Sequence, residues 1–169
     1  MVKRIQISAG ILFAVFLIIT GCESTREATL EEHNKELVRR MFEEVWNKGN
    51  HEIMDELFSA DVVWHFLPDG SKTTSLEELR DHVRSHRKAF PDWAEKIKQI
   101  VAEGDLVATH FTSTGTNTGT FRGNPPTGKQ IQINEMSIFR LADGKIVEQW
   151  LIPDLLSLNQ QLGLISQSK

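Results

Sequence analysis

After Trp93 the chain reads as strands. Lys96 to Glu103 is one strand, turned at Gly104-Asp105. Leu106 to Thr120 is a second, rich in threonine, and its glycines at 115 and 119 predict a bulge or bend. Gln130 to Leu141 and Lys145 to Ile152 follow, joined at Asp143-Gly144, a strong hairpin signal. Four consecutive strands with short connections read as a meander. Strands this long in a chain of 169 residues require the sheet to curve.

The sequence ahead of this block alternates between helical and turn signals. Thr29 with Glu32 fits a capping box, and Leu30, Leu37, Val38, Met41, Phe42, Val45 and Trp46 recur at helical spacing up to Gly49. A short second helix is expected over His51 to Phe58. Val62 to Leu67 is a β-rich run ended by Pro68-Asp69-Gly70. Ser75 with Glu78 opens a third helix, whose apolar stripe is Leu76, Leu79, Val83, His86 and Phe90, and Pro91 closes it. The order predicts an α+β domain in which a curved antiparallel sheet packs on three helices and encloses a cone with an apolar pocket.

The first residues read as an address. Lys3 and Arg4 precede an apolar stretch, Ala9 to Ile19, that is too short to span a bilayer and ends in Thr20-Gly21-Cys22. Ile19-Thr20-Gly21-Cys22 resembles a bacterial lipobox, with residues 1–21 as signal peptide and Cys22 as the lipidated mature N-terminus. The alternative is an ordinary signal peptide with a chance cysteine. On the lipobox reading residues 22–29 are a polar tether and 30–169 the domain. The expected location is the extracytoplasmic face of the cell membrane, through a lipid (palmitate-type) anchor on Cys22. Loss of Lys3 and Arg4 would deepen the net charge from −4 to −6.

Composition removes several functions. The acidic balance argues against a nucleic-acid partner. A lone cysteine excludes an internal disulfide framework and a cysteine-based zinc site. Gly123-Asn-Pro-Pro-Thr-Gly128-Lys129 has the spacing of a phosphate loop, but Gln130 stands where a Mg²⁺-binding hydroxyl belongs and two prolines remove N–H donors. No G-x-S-x-G elbow occurs. His82 and His86 have the i, i+4 spacing of a metal pair, but Arg80, Arg84, Arg87 and Lys88 surround them with positive charge, and no metal is expected.

The candidate site residues come from strand periodicity. Glu148, Trp150, Ile152 and Asp154 share one face of the last strand. If that face lines the cone, two carboxylates sit in a poorly hydrated space where their pKa values rise. Glu148 could instead be a rim or salt-bridge residue, and Asp154 could cap the segment Leu155 to Leu162. A three-residue hairpin loop, the favoured register, would set Ile138 opposite Glu148 and Met136 opposite Trp150, with Asn134 and Arg140 on the same face. A two-residue loop would bring Ser137, Glu135 and Phe139 there. His65, His86 and His110 are the histidines placed to reach a pocket, each with a structural role as the plain alternative.

Several segments together resemble the SnoaL-like polyketide (ester) cyclase family. They are Asn47-Lys48-Gly49-Asn50, Ala89-Phe90-Pro91-Asp92-Trp93, the block from Gly115-Thr116 to Pro125-Pro126-Thr127-Gly128-Lys129, Asp143 to Trp150, and Gln161-Leu162-Gly163. The resemblance runs from about Leu30 to Gly163. It implies the cone-shaped fold of nuclear transport factor 2 and intramolecular aldol chemistry without metal or organic cofactor. It also implies an acid/base aspartate near the end of the last strand, which Asp154 matches. His65 matches a polar pocket position, and Arg140 and His110 would be enolate or carbonyl partners. Ketosteroid isomerase and scytalone dehydratase share that fold but depend on tyrosine hydroxyls, and this chain has no tyrosine. The expected partner is a small apolar carbonyl compound. A homodimer or larger homo-oligomer is also expected, through the open sheet face.

Overall fold

A computed structural model describes residues 26–166. The expected signal peptide, residues 1–21, and Cys22 lie outside the described residues. Among those described, no helix is long and apolar enough to cross a membrane. Helix α1 occupies residues 26–41 and widens into π-helical turns over Phe42–Asn47. It is already helical at residue 26, so Thr29 and Glu32 lie inside it rather than at its start. Arg26, Glu27 and Ala28 are good helix formers and extend it into the expected tether. Val38, Met41, Phe42, Val45 and Trp46 bury its inner face, and Gly49 leaves it at φ 69°.

Helix α2 is a single turn, Met54–Leu57, shorter than expected because Phe58 already belongs to strand β1, Phe58–Phe66. A short strand that the sequence did not signal, β2 (Ser71–Thr73), pairs back on β1. Helix α3, Leu76–Ala89, starts as expected: the Ser75 hydroxyl accepts from Glu78 N, and the Glu78 carboxylate accepts from Thr74 N. The four later strands are β3 (Ala94–Glu103), β4 (Leu106–Thr116), β5 (Gln130–Ala142) and β6 (Lys145–Pro153), and helix α4 covers Leu155–Leu162.

The six strands form one curved, open sheet in the order β2-β1-β6-β5-β4-β3, packed against the helices. The α+β architecture is as expected, with one difference: β1 runs parallel to β6, so the sheet is mixed. Tight turns fix the directions of β3 with β4 and of β5 with β6, and a longer loop returns β4 to β5, whereas β1 arrives from α2 and covers the free edge of β6. Strand β4 ends at Thr116, before the second glycine. Gly115 serves packing instead, since a Cβ there would press on Trp93 and Phe90.

Burial alternates strictly along β4 and β5, which defines the inner face: Val107, Phe111, Ile131, Ile133, Phe139 and Leu141 point to the helices. The Asp143-Gly144 turn has two residues, both at positive φ, and pairs Ala142 with Lys145. An irregularity just beyond it then sets Arg140 opposite Glu148 and Ile138 opposite Trp150. Neither expected register holds along the whole hairpin, because the extra residue in β6 shifts the ladder by one.

Candidate active site

Between the inner face, α1 and α3 lies a cavity of about 60 Å³ that opens to solvent. Its walls are aromatic: Trp46 from the π-turns, Trp64 and Phe66 from β1, Trp93 ahead of β3, Phe111 from β4 and Phe121 from the loop after β4. The sequence segments around it are joints rather than reactive groups. The Asn47 side chain accepts from Glu95 N (2.6 Å) and donates to Glu95 O (3.1 Å), tying the end of α1 to β3. Arg87 donates to the carbonyls of Trp46, Pro91 and Trp93, fixing two cavity tryptophans. Asn117 is buried and bridges the Ala89 and Gly119 carbonyls to Thr127.

Two carboxyl groups enter this cavity. Glu95 is on β3 directly opposite Ser113 of β4, and Glu135 is on β5 opposite Phe111, one diagonal step from Ser113. Glu135 is only 6% exposed. Desolvation raises its pKa to about 7, opposed in part by the nearby Ser113 hydroxyl. Desolvation, the Glu135 charge beside it and a countering bond from Trp93 Nε1 (3.0 Å) leave the Glu95 pKa well above the usual carboxylate range. The residue Glu95 is partly exposed while its carboxyl faces the cavity interior. Oε1 of Glu135 and the Ser113 hydroxyl have no hydrogen-bond partner among the described residues. A pair of this kind holds a proton near neutral pH that can be moved.

His82 and His86 face the cavity from α3. Desolvation lowers their pKa values to about 4 and about 3, with smaller pushes from Arg122 and, for His86, from His82 and Arg87. Both are neutral at neutral pH. Among the described residues no group of three or more His, Cys, Asp or Glu side chains is arranged to hold a metal ion.

Residues 36–162 match the model of the SnoaL-like polyketide cyclase family, which is most of the chain. The chain belongs to this family. Solved structures agree in fold. A proposed SnoaL-like polyketide cyclase from Jannaschia sp. CCS1 is 26% identical over 80% of this chain and 94% of its own, with a TM-score of 0.74. AclR, a proposed hydroxylase from Streptomyces galilaeus, is 29% identical over 82% and 86%, TM-score 0.73. IdmH, a proposed polyketide cyclase from Streptomyces antibioticus, is 30% identical over 77% and 98%, TM-score 0.68. No curated protein matches the chain.

In this SnoaL-like protein the residues expected at the pocket divide by face. His86 lines the cavity. Asn134, Ile138, Arg140, Glu148 and Trp150 occupy the outer face of the sheet, with His65 beside Trp150 and His110 beside Asn134. They do come together there. His65 Nε2 lies 2.8 Å from Glu148 Oε1, and its ring stacks on Trp150 at 5.4 Å. Arg140 donates to Glu148 (3.4 Å) and Asp105 (2.8 Å).

Asp154 is exposed and caps α4, its carboxylate accepting from Ser157 N at 2.9 Å. Pro153 points into the cavity, so the pleat turns its neighbour away, and the open amides of α4 take the carboxylate. Periodicity grouped these residues correctly but assigned their face to the pocket, because Trp150 and Ile152 make the outer face of β6 as apolar as the inner. The deciding signal was on β5, where Glu135 is the one charged residue in the inward series with Ile131, Ile133, Ser137, Phe139 and Leu141.

Proposed function

We propose that this family member is an acid/base enzyme that needs no organic cofactor and acts on a small apolar carbonyl compound, with Glu135 as base and Glu95 as its proton-holding partner. One observation carries the reading: two desolvated carboxyl groups face one aromatic cavity. Glu135 as carboxylate removes a proton from the carbon beside a carbonyl. The electron pair moves onto the carbonyl oxygen, giving an enolate. In an aldol-type closure the enolate carbon attacks a second carbonyl of the same molecule, forming one C–C bond and an alkoxide. Protonated Glu95 supplies the alkoxide proton, and transfer between the two carboxyls restores the starting state. The dry aromatic walls keep water from the enolate.

The first step alone is testable with a simple ketone. The full-length chain in mild detergent is expected to accelerate deuterium incorporation at the α-carbon of 2-tetralone in D2O, followed by NMR. Glu135→Gln is expected to remove the acceleration with the fold retained by circular dichroism. Unchanged exchange in that variant would refute the reading.

A second reading concerns the outer face. Met136, Ile138, Ile152 and Val101 are large, apolar and exposed there, around the His65–Trp150 stack. We infer that this face pairs with a second copy of the chain. The lipobox-like residues 19–22 support attachment to the outer leaf of the cell membrane at Cys22. Labelling by a fatty acid analogue that is lost in Cys22→Ser is the test.

A further inference from the structure

The cavity wall carries two kinds of charged group. The Glu95 and Glu135 carboxyls face its interior, and the exposed Arg122, at its mouth, is the only arginine or lysine on the wall among the described residues. Arg122 sits at φ 50° in a tight turn where Phe121 and Asn124 exchange backbone hydrogen bonds. A non-glycine residue adopts that conformation only at a cost, and here it accompanies a side chain laid over aromatic rings. The guanidinium carbon is 4.7 Å from the Phe66 ring centre and 5.7 Å from that of Phe121. Among the described residues it forms no salt bridge. Asp69 feels its charge, but the Asp69 carboxylate accepts from Ser71 N at 2.9 Å.

Trp64 Nε1 and the enclosed His86 Nε2, also on the cavity wall, have no hydrogen-bond partner among the described residues. An indole N–H can only donate, so a well-matched occupant brings an acceptor to it. We propose that the occupant is an organic anion: a ring-bearing molecule whose carboxylate pairs with Arg122 at the mouth while an inner carbonyl oxygen meets the Trp64 N–H. The reverse orientation would bury a second negative charge beside the carboxyl pair, away from the cation and from water. Arg122 stacks on rings and presents a planar fork to a carboxylate, a combination that lysine does not offer. The proposal rests on the acid/base reading only for which end of the ligand reacts, and it narrows the carbonyl substrate to one whose apolar ring body also carries a carboxylate.

Calorimetry on the full-length chain with 2-naphthylacetate and its neutral amide tests this. The acid is expected to bind about five times more tightly than the amide, the scale of a solvent-touched ion pair. Arg122→Gln should bring the two affinities together by weakening the acid alone, and Arg122→Lys should recover part of the preference. Trp64→Phe should weaken both ligands. Equal affinities in the unsubstituted protein, an equal loss of both in Arg122→Gln, or no binding of either would overturn the proposal. Tetralone exchange without a preference for the acid would sink this inference and leave the acid/base reading standing. The opposite pair of results would do the reverse.

Discussion

Glu95 and Glu135 face one cavity from β3 and β5, and Ser113 of the strand between them stands directly opposite Glu95. Both pKa values are raised by burial, and the Glu135 charge adds to the rise at Glu95. Two carboxyl groups in so dry a site do not both ionise near neutral pH, so one keeps a proton while the other can accept one.

The contrast between Glu135 and Asp154 is therefore sharp. Glu135→Gln is expected to lower α-proton exchange by a factor of about 10² to 10⁴, the usual range for a general base. Asp154→Asn should leave exchange unchanged and cost little stability, because asparagine also caps helices well. Asp154→Ala should cost about 1 kcal/mol in urea unfolding, still with exchange intact. Loss of exchange in Asp154→Asn would return the chemistry to the end of β6.

Much of this fold was legible because its signals are local. The Ser75 cap, the Asp143-Gly144 turn and the alternation on β4 and β5 each depend on a few adjacent residues. The parallel contact of β1 with β6 joins residues far apart in the chain and leaves no turn to read. The site was half legible for a related reason. A period of two says which residues share a face, but the choice of face depends on what packs against it. Arg122 and Glu95 reach the cavity from a turn and from a strand start, and only the folded chain brings them together.

Gly119 is predicted to be the least replaceable glycine after β4. Its backbone lies against the Lys88 carbonyl at the end of α3, where a Cβ would collide with the main chain of Lys88 and Ala89. Gly119 N also donates to Ala89 O at 3.1 Å, so the loop cannot retreat without losing that bond. Gly119→Ala is expected to cost on the order of 3 kcal/mol or more. Gly123→Ala meets open space and should cost about 1 kcal/mol through its positive φ alone. Chemical denaturation of both variants checks the order, and equal losses would refute it.

If the outer face joins two copies, a charge placed at its centre should separate them. Ile138 lies opposite Trp150 and is 46% exposed in the single chain. Ile138→Asp would set an acid against a neighbour's apolar surface and near Glu148, so sedimentation in density-matched detergent should shift from dimer to monomer. The cavity lies on the other face, and tetralone exchange should persist. A dimer that survives the substitution would place the contact elsewhere.

The same buried groups predict an unusual dependence of stability on pH. For His82 and His86 the folded pKa values, about 4 and about 3, lie below the ordinary 6.5. Between pH 6.5 and those values the unfolded chain binds more protons, so acidification destabilises the fold. For Glu135 and Glu95 the folded values lie above the ordinary 4.5, Glu135 at about 7. Between pH 4.5 and 7 the folded chain binds more protons, so acidification stabilises it. From pH 6.5 to 4.5 these two histidines, with His51, whose pKa burial also lowers, oppose the two carboxyls, so the slope of the unfolding free energy is set by which side a variant removes. Glu135→Gln removes one stabilising partner, so the variant should lose stability over that interval. His86→Phe removes one opposing histidine and should gain stability on the same acidification. Urea titrations at pH 6.5 and 4.5 read both slopes. A common slope for the two variants would show that these four groups do not set the balance.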